Sequence, residues 1–194
     1  MPKIYLIAGC NGAGKSTAAY TMLPEMLNCK EFVNADNIAK GISPFSPESV
    51  AFEAGRVMIQ RIDQLVKNKI DFAIETTLSS RTYLYKAAEW KKQGYEIILI
   101  YIWLNSPTLA IERIKDRVNK GGHFVPDDVV KRRYYRGIKI LFKHFTALCD
   151  YWLVVNNSHE EPKMIAEGNN KLELEVFNSQ IWSEIKDIYN EKYC

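Results

Sequence analysis

Short apolar runs alternate with longer amphipathic stretches along most of this chain. Residues 4–8 are an unbroken apolar run of strand length, and comparable runs stand at 31–34, 71–75, 95–104 and 151–155. Between them the period lengthens. Ala51, Ala54, Val57, Met58, Ile62 and Leu65 recur at helical spacing within 47–69. Helices are also predicted over 16–27, 80–93, 107–119 and 127–148, with a short turn of helix around 37–40. Gly94 stops one of them, and Gly121-Gly122 with Pro126 separates the last two long ones. Strands this apolar suit a sheet covered on both faces, and strand–helix alternation argues for parallel pairing. The expected fold is a three-layer α/β sandwich: a mostly parallel sheet of five strands, with 3–8 inside it and helices on both faces.

The tail breaks the alternation. Residues 163–167 and 171–177, around Gly168-Asn169-Asn170, read as a β-hairpin, and 179–193 as a closing helix. No linker, repeat or low-complexity segment divides the chain. One domain is expected over 1–194, with its core in 1–157 and a small hairpin-and-helix appendage in 158–194.

Composition narrows the classes a little. A net charge of +3 over 194 residues is too small to argue for a nucleic-acid partner. Cys10, Cys29, Cys149 and Cys194 are scattered and form no C-x-x-C pair, which suits a reducing compartment and argues against a disulfide framework or zinc site. No apolar stretch reaches membrane-spanning length. The first run leads straight into a phosphate-binding motif that cleavage of a signal peptide would remove. A cytoplasmic location is expected.

That motif is the strongest chemical signal. Gly9, four residues, then Gly14-Lys15-Ser16 matches the P-loop pattern, between a predicted strand and a predicted helix. Glycines let the backbone curl until successive N–H groups point at phosphate oxygens, and the helix that follows adds its positive end. Gly9, Asn11, Gly12, Ala13, Gly14, Lys15, Ser16 and Thr17 are the candidate ATP contacts. Lys15 reaches the β/γ-phosphates, and the Ser16 hydroxyl is the candidate Mg²⁺ ligand.

A P-loop alone does not separate kinase, GTPase and motor. Asn68-Lys69-Ile70-Asp71 fits a guanine-reading tetrapeptide on paper, but it ends a helix, and no D-x-x-G switch occurs in the chain. Asp36 points to a kinase. A carboxylate at the end of the second strand lies on the sheet edge where ligands bind, across from the P-loop. It either accepts the proton of an attacking hydroxyl or caps the helix around 37–40. Glu75 and Thr77 end the third strand and are candidates for metal-bound water or substrate hydroxyls, or for capping the next helix. Arg113, Arg117, His123, Lys131, Arg132, Arg133 and Arg136 make 113–136 basic around Gly121-Gly122. This reads as a lid that brings positive charge over the transferring phosphoryl group, with Arg117 its leading candidate.

These features together resemble the zeta-toxin family of P-loop kinases, in its toxin-like bacterial branch labelled predicted ATPases. The resemblance rests on Gly9-Cys10-Asn11-Gly12-Ala13-Gly14-Lys15-Ser16-Thr17, Asn34-Ala35-Asp36, Glu75-Thr76-Thr77, and Gly121-Gly122-His123-Phe124-Val125-Pro126, and covers roughly 3–157. It implies ATP- and Mg²⁺-dependent phosphorylation of a sugar hydroxyl of UDP-N-acetylglucosamine. It implies Asp36 as catalytic base, Glu75 and Thr77 as substrate contacts, and Arg113 or Arg117 as the first lid arginine. Where the family has a second lid arginine, this chain has His123, and Arg132 or Arg133 is the substitute the resemblance suggests. It also implies an antitoxin protein as partner. The competing expectations are a kinase for another hydroxyl, of an antibiotic, a nucleoside or a polynucleotide 5′-end, and a nucleotide-binding regulatory module that hydrolyses ATP slowly.

Overall fold

The computed structural model describes residues 1–171 and 173–191. Predicted features at Leu172, at the Tyr193 end of the last helix and at Cys194 lie outside the described residues. The element order is β1 (Lys3–Ala8), α1 (Lys15–Glu25), β2 (Phe32–Val33), α2 (Ala35–Ile42), a 3₁₀ turn (Pro47–Val50), α3 (Ala51–Lys67), β3 (Phe72–Thr76), α4 (Thr82–Lys92), β4 (Glu96–Trp103), α5 (Pro107–Asn119) and α6 (Asp127–Ile140). A π turn (Leu141–Phe145) leads into α7 (Thr146–Leu148), then β5 (Tyr151–Asn156), β6 (Lys163–Gly168), β7 (Leu174–Val176) and α8 (Ser179–Asn190).

The five predicted strands form a parallel array in the order β2-β3-β1-β4-β5. The P-loop strand is interior, paired with β3 from Ile4↔Phe72 to Ala8↔Thr76 and with β4 from Lys3↔Glu96 to Ala8↔Tyr101. Ile4 to Ala8 are all buried, as are Ile97 and Leu99 to Trp103 of β4, because helices cover both faces. Every parallel crossover therefore delivers its loop to the same edge, where the chain turns from β1 to α1, β2 to α2, β3 to α4, and β4 to α5.

Two expectations are corrected. The sheet has seven strands, not five: the predicted hairpin joins it, with β6 antiparallel to β5 and β7 antiparallel to β6. The free edge of β5 offers unpaired N–H and C=O groups, and the hairpin satisfies them. A register shift between Val154 and Val155 accommodates the join. The predicted helix over 127–148 is helical throughout but is interrupted by the π turn, whose Phe142 packs against Trp182 and Tyr189 of α8 at centroid distances of 5.1 and 5.3 Å. No described helix is long and apolar enough to cross a membrane.

Asn68-Lys69-Ile70-Asp71 is a helix stop. Lys69 takes φ 56, Lys69 N–H bonds to Val66 O and Ile70 N–H to Leu65 O, and the Asp71 carboxylate accepts the Lys3 N–H at 2.8 Å. These residues lead into β3 at the opposite end from the P-loop.

Candidate active site

The P-loop leaves β1 at Ala8 and enters α1 at Lys15, with Gly9, Gly12 and Gly14 at φ 145, 80 and 87. Gly14 has two reasons to be glycine. Its φ is left-handed, and a Cβ there would stand 2.5 Å from the Asn157 amide nitrogen. That amide donates to Ala13 O at 2.8 Å, so the residue just beyond β5 tethers the loop. Burial pushes the Cys10 thiol up to about 11, so it stays protonated at neutral pH. Its carbonyl accepts from Lys15 Nζ at 2.9 Å.

Lys15 is buried, and its ammonium lies 3.5 Å from Glu75 Oε1. Glu75 stands at the end of β3, in register with Ile7. Its other oxygen accepts from Ser16 Oγ at 2.6 Å and from Asn34 Nδ2 at 2.7 Å. Three chain segments thus meet on one carboxylate. The donor set suits a hard cation, since Mg²⁺ takes one or two protein oxygens and completes its shell with water and phosphates. Among the described residues no group of three His, Cys, Asp or Glu could hold a metal alone.

Asn34 is the N-cap of α2, its Oδ1 accepting from the N–H groups of Asp36 and Asn37. The capping role that the sequence left open for Asp36 belongs to Asn34. The Asp36 carboxylate is exposed and has no hydrogen-bond partner among the described residues. It lines a cavity of about 560 Å³ together with Arg113, Asp116 and Arg117 of α5, and with Lys120, Gly122 and His123 just beyond that helix. Lys40 and Glu48 also line it.

The basic segment is tied at several points in this structure. Gly121 N–H bonds to Val118 O and Gly122 N–H to Arg117 O, a helix stop with Gly121 at φ 83. Arg117 donates to His123 O at 2.7 Å, and a Cβ on Gly122 would stand 2.5 Å from Arg117 Cγ. Arg113 donates to Ser158 O at 3.4 Å. Arg133 reaches back to the P-loop and donates to Asn11 Oδ1 at 3.0 Å. Lys131, Arg132 and Arg136 are not bonded to these groups and lie exposed on α6. Thr77 pairs with Ser79 at 2.8 Å and is not joined to the Glu75 cluster.

Comparison with known proteins gives this arrangement its relatives. The model of the zeta toxin family matches residues 1–161. The chain belongs to the zeta toxin family. An uncharacterized protein of Haemophilus influenzae is 34% identical over 132 residues, 68% of this chain and 92% of that one. The structure of the PezAT chromosomal toxin–antitoxin system of Streptococcus pneumoniae matches with a TM-score of 0.65 at 17% identity, over 97% of this chain and 84% of that one. The structure of AvrRxo1-ORF1:-ORF2 with ATP matches with a TM-score of 0.76 at 15% identity, over all of this chain. This chain spans 66% of that chain's length, just under two thirds. At these identities the structural likeness shows the fold, a P-loop kinase fold. Membership of the zeta toxin family supports an ATP-dependent, kinase-like function.

Sequence reasoning missed two residues of this zeta toxin site. Asn34 was visible only as part of a motif, and its bond to Glu75 spans 41 positions. Asn157 was visible as a polar residue at a strand tip on the ligand edge, which was the available signal.

Proposed function

We propose that this protein is an ATP-dependent kinase that transfers the γ-phosphoryl group to a hydroxyl, with UDP-N-acetylglucosamine the first candidate acceptor. The observation that carries the reading is the unpartnered Asp36 carboxylate, which lines one cavity with Arg113 and Arg117, while Asn34 ties its turn to the P-loop lysine's carboxylate partner. A nucleotide-binding switch has no use for a free carboxylate in a cavity with arginines. A kinase needs both.

In this account the loop from Gly9 to Thr17 holds the ATP phosphates by backbone N–H groups, and Lys15 turns from Cys10 O and Glu75 towards them. Mg²⁺, when bound, neutralises phosphate charge; Ser16 and Glu75 are the residues that would hold it, Glu75 through water. Asp36 takes the proton of the acceptor hydroxyl. The hydroxyl oxygen forms its bond to the γ-phosphorus as the bond to the β-phosphate oxygen breaks, and ADP leaves with that electron pair. Arg113 and Arg117 stabilise the charge that spreads over the transferring group. Arg133, held on Asn11, supplies the positive charge that the family places in a second lid arginine. His123 and Thr77 are the remaining acceptor contacts we assign. The PezAT likeness and family membership support an antitoxin protein as partner.

The test is a screen with γ-labelled ATP and Mg²⁺ over hydroxyl-bearing metabolites, including UDP-N-acetylglucosamine, nucleosides, antibiotics and 5′-hydroxyl oligonucleotides. A labelled acceptor supports the reading, and its identity fixes the class. Release of inorganic phosphate alone, with no acceptor labelled, overturns it in favour of a regulatory ATPase.

A further inference from the structure

Asn34 both caps a helix and bridges to a carboxylate of the phosphate site. It is 6% exposed, and both polar atoms of its amide are bonded. Its oxygen accepts from Asp36 N at 2.8 Å and Asn37 N at 3.2 Å, starting α2. Its nitrogen donates to Glu75 Oε2 at 2.7 Å, the same oxygen that accepts from Ser16 Oγ. The partners fix the amide's orientation, because a flipped amide would set an oxygen against the carboxylate and NH₂ against two N–H donors. Serine, threonine and aspartate cap helices about as well as asparagine. A serine is too short to bridge to Glu75, and an ionised aspartate repels it.

We propose that Asn34 is a positioning residue for phosphoryl transfer, holding the turn that carries Asp36 at a fixed place relative to Glu75, Ser16 and Lys15. This role rests on the kinase reading above. It gives Asn34 no contact with ATP or acceptor. The charged groups around this point are Lys15 from α1, Glu75 from β3 and Asp36 from α2, with Arg113 and Arg117 of α5 lining the cavity. Loss of the bridge leaves the first turn of α2 capped but free to shift. Misplacing a reacting group by a fraction of its bond reach costs turnover on the scale of about tenfold to a hundredfold.

The variants are Asn34→Ser and Asn34→Asp in the full chain. The probe is Mg·ATP, with water as the phosphoryl acceptor unless the screen has supplied a better one. Asn34→Ser keeps the cap and loses the bridge. Asn34→Asp keeps the cap and sets a carboxylate against Glu75 in place of the amide N–H donor.

The expected result is turnover for Asn34→Ser about tenfold or more below wild type. Asn34→Asp, which replaces the donor with a like charge, should fall at least as far. Mg·ATP affinity should stay within about threefold in both variants, which separates positioning from binding. Wild-type turnover in either variant overturns the positioning role. So does a loss of turnover that merely follows each variant's melting temperature. Asp36→Asn in the same assay separates the two readings. Wild-type turnover there, with the losses of both Asn34 variants retained, refutes the base assignment and leaves Asn34 positioning Glu75 alone.

Discussion

Lys15 is a buried cation between a carbonyl and a carboxylate, and its place follows from three left-handed glycines and one helix start. Its proposed role was legible because a P-loop states its chemistry in eight consecutive positions. Lys15→Ala removes a point charge from the β/γ-phosphates and leaves Glu75 without its cation. Charge-assisted contacts of this kind contribute roughly 1.5–3 kcal/mol, so Mg·ATP affinity should fall by about one to two decades. Calorimetric titration reads this directly, and unchanged affinity contradicts the assignment. Asn34 and Asn157 were not legible in the same way. Their partners, Glu75 and Ala13, lie 41 and 144 positions away, and only the folded sheet brings them together. Arg133 lies between these cases. A basic segment was visible, but which of its arginines reaches Asn11 depends on how α6 crosses the P-loop.

Helix α5 shows what an element adds. Its predicted start at Pro107 is the observed one, and Ser106 Oγ accepts the Leu109 N–H at 3.2 Å. Its end was readable too, but the meaning of Gly121-Gly122 was not. Glycine supplies freedom to a hinge and a left-handed turn to a helix stop, and only the bonds to Val118 and Arg117 decide between them. The stop fixes the stem of Arg117 and ties its guanidinium to His123 O, so this arginine stands at the cavity before any closure. Preorganised positive charge acts on the transition state more than on bound ATP. Arg117→Ala should therefore lower turnover by about two to three decades, while Mg·ATP affinity changes several-fold at most. Steady-state kinetics with parallel calorimetry checks this. Equal losses in turnover and affinity would place Arg117 in ground-state binding.

At the scale of the molecule, the parallel array β2-β3-β1-β4-β5 was legible because buried parallel strands are apolar on both faces and their crossovers are helical. The union of the hairpin with that array was not. β6 and β7 carry the alternation of any hairpin, and nothing local records that β6 continues the sheet at β5 rather than standing apart. Gly168 shows the packing that the union demands, since a Cβ there would stand 2.5 Å from the Trp152 ring, itself stacked on Trp182 of α8. The parallel array collects its crossovers on one edge and brings Lys15, Asp36 and Glu75 there from three different segments, where we propose that they act together. That convergence is the central claim, and the most direct measurement is phosphoryl transfer by Asp36→Asn to the acceptor that the wild-type protein labels from Mg·ATP. The substitution keeps the side chain's size and loses its proton acceptance. The account predicts a transfer rate lower by about two to four decades with Mg·ATP affinity essentially unchanged. Transfer at the wild-type rate would contradict it, whatever the geometry of the cavity.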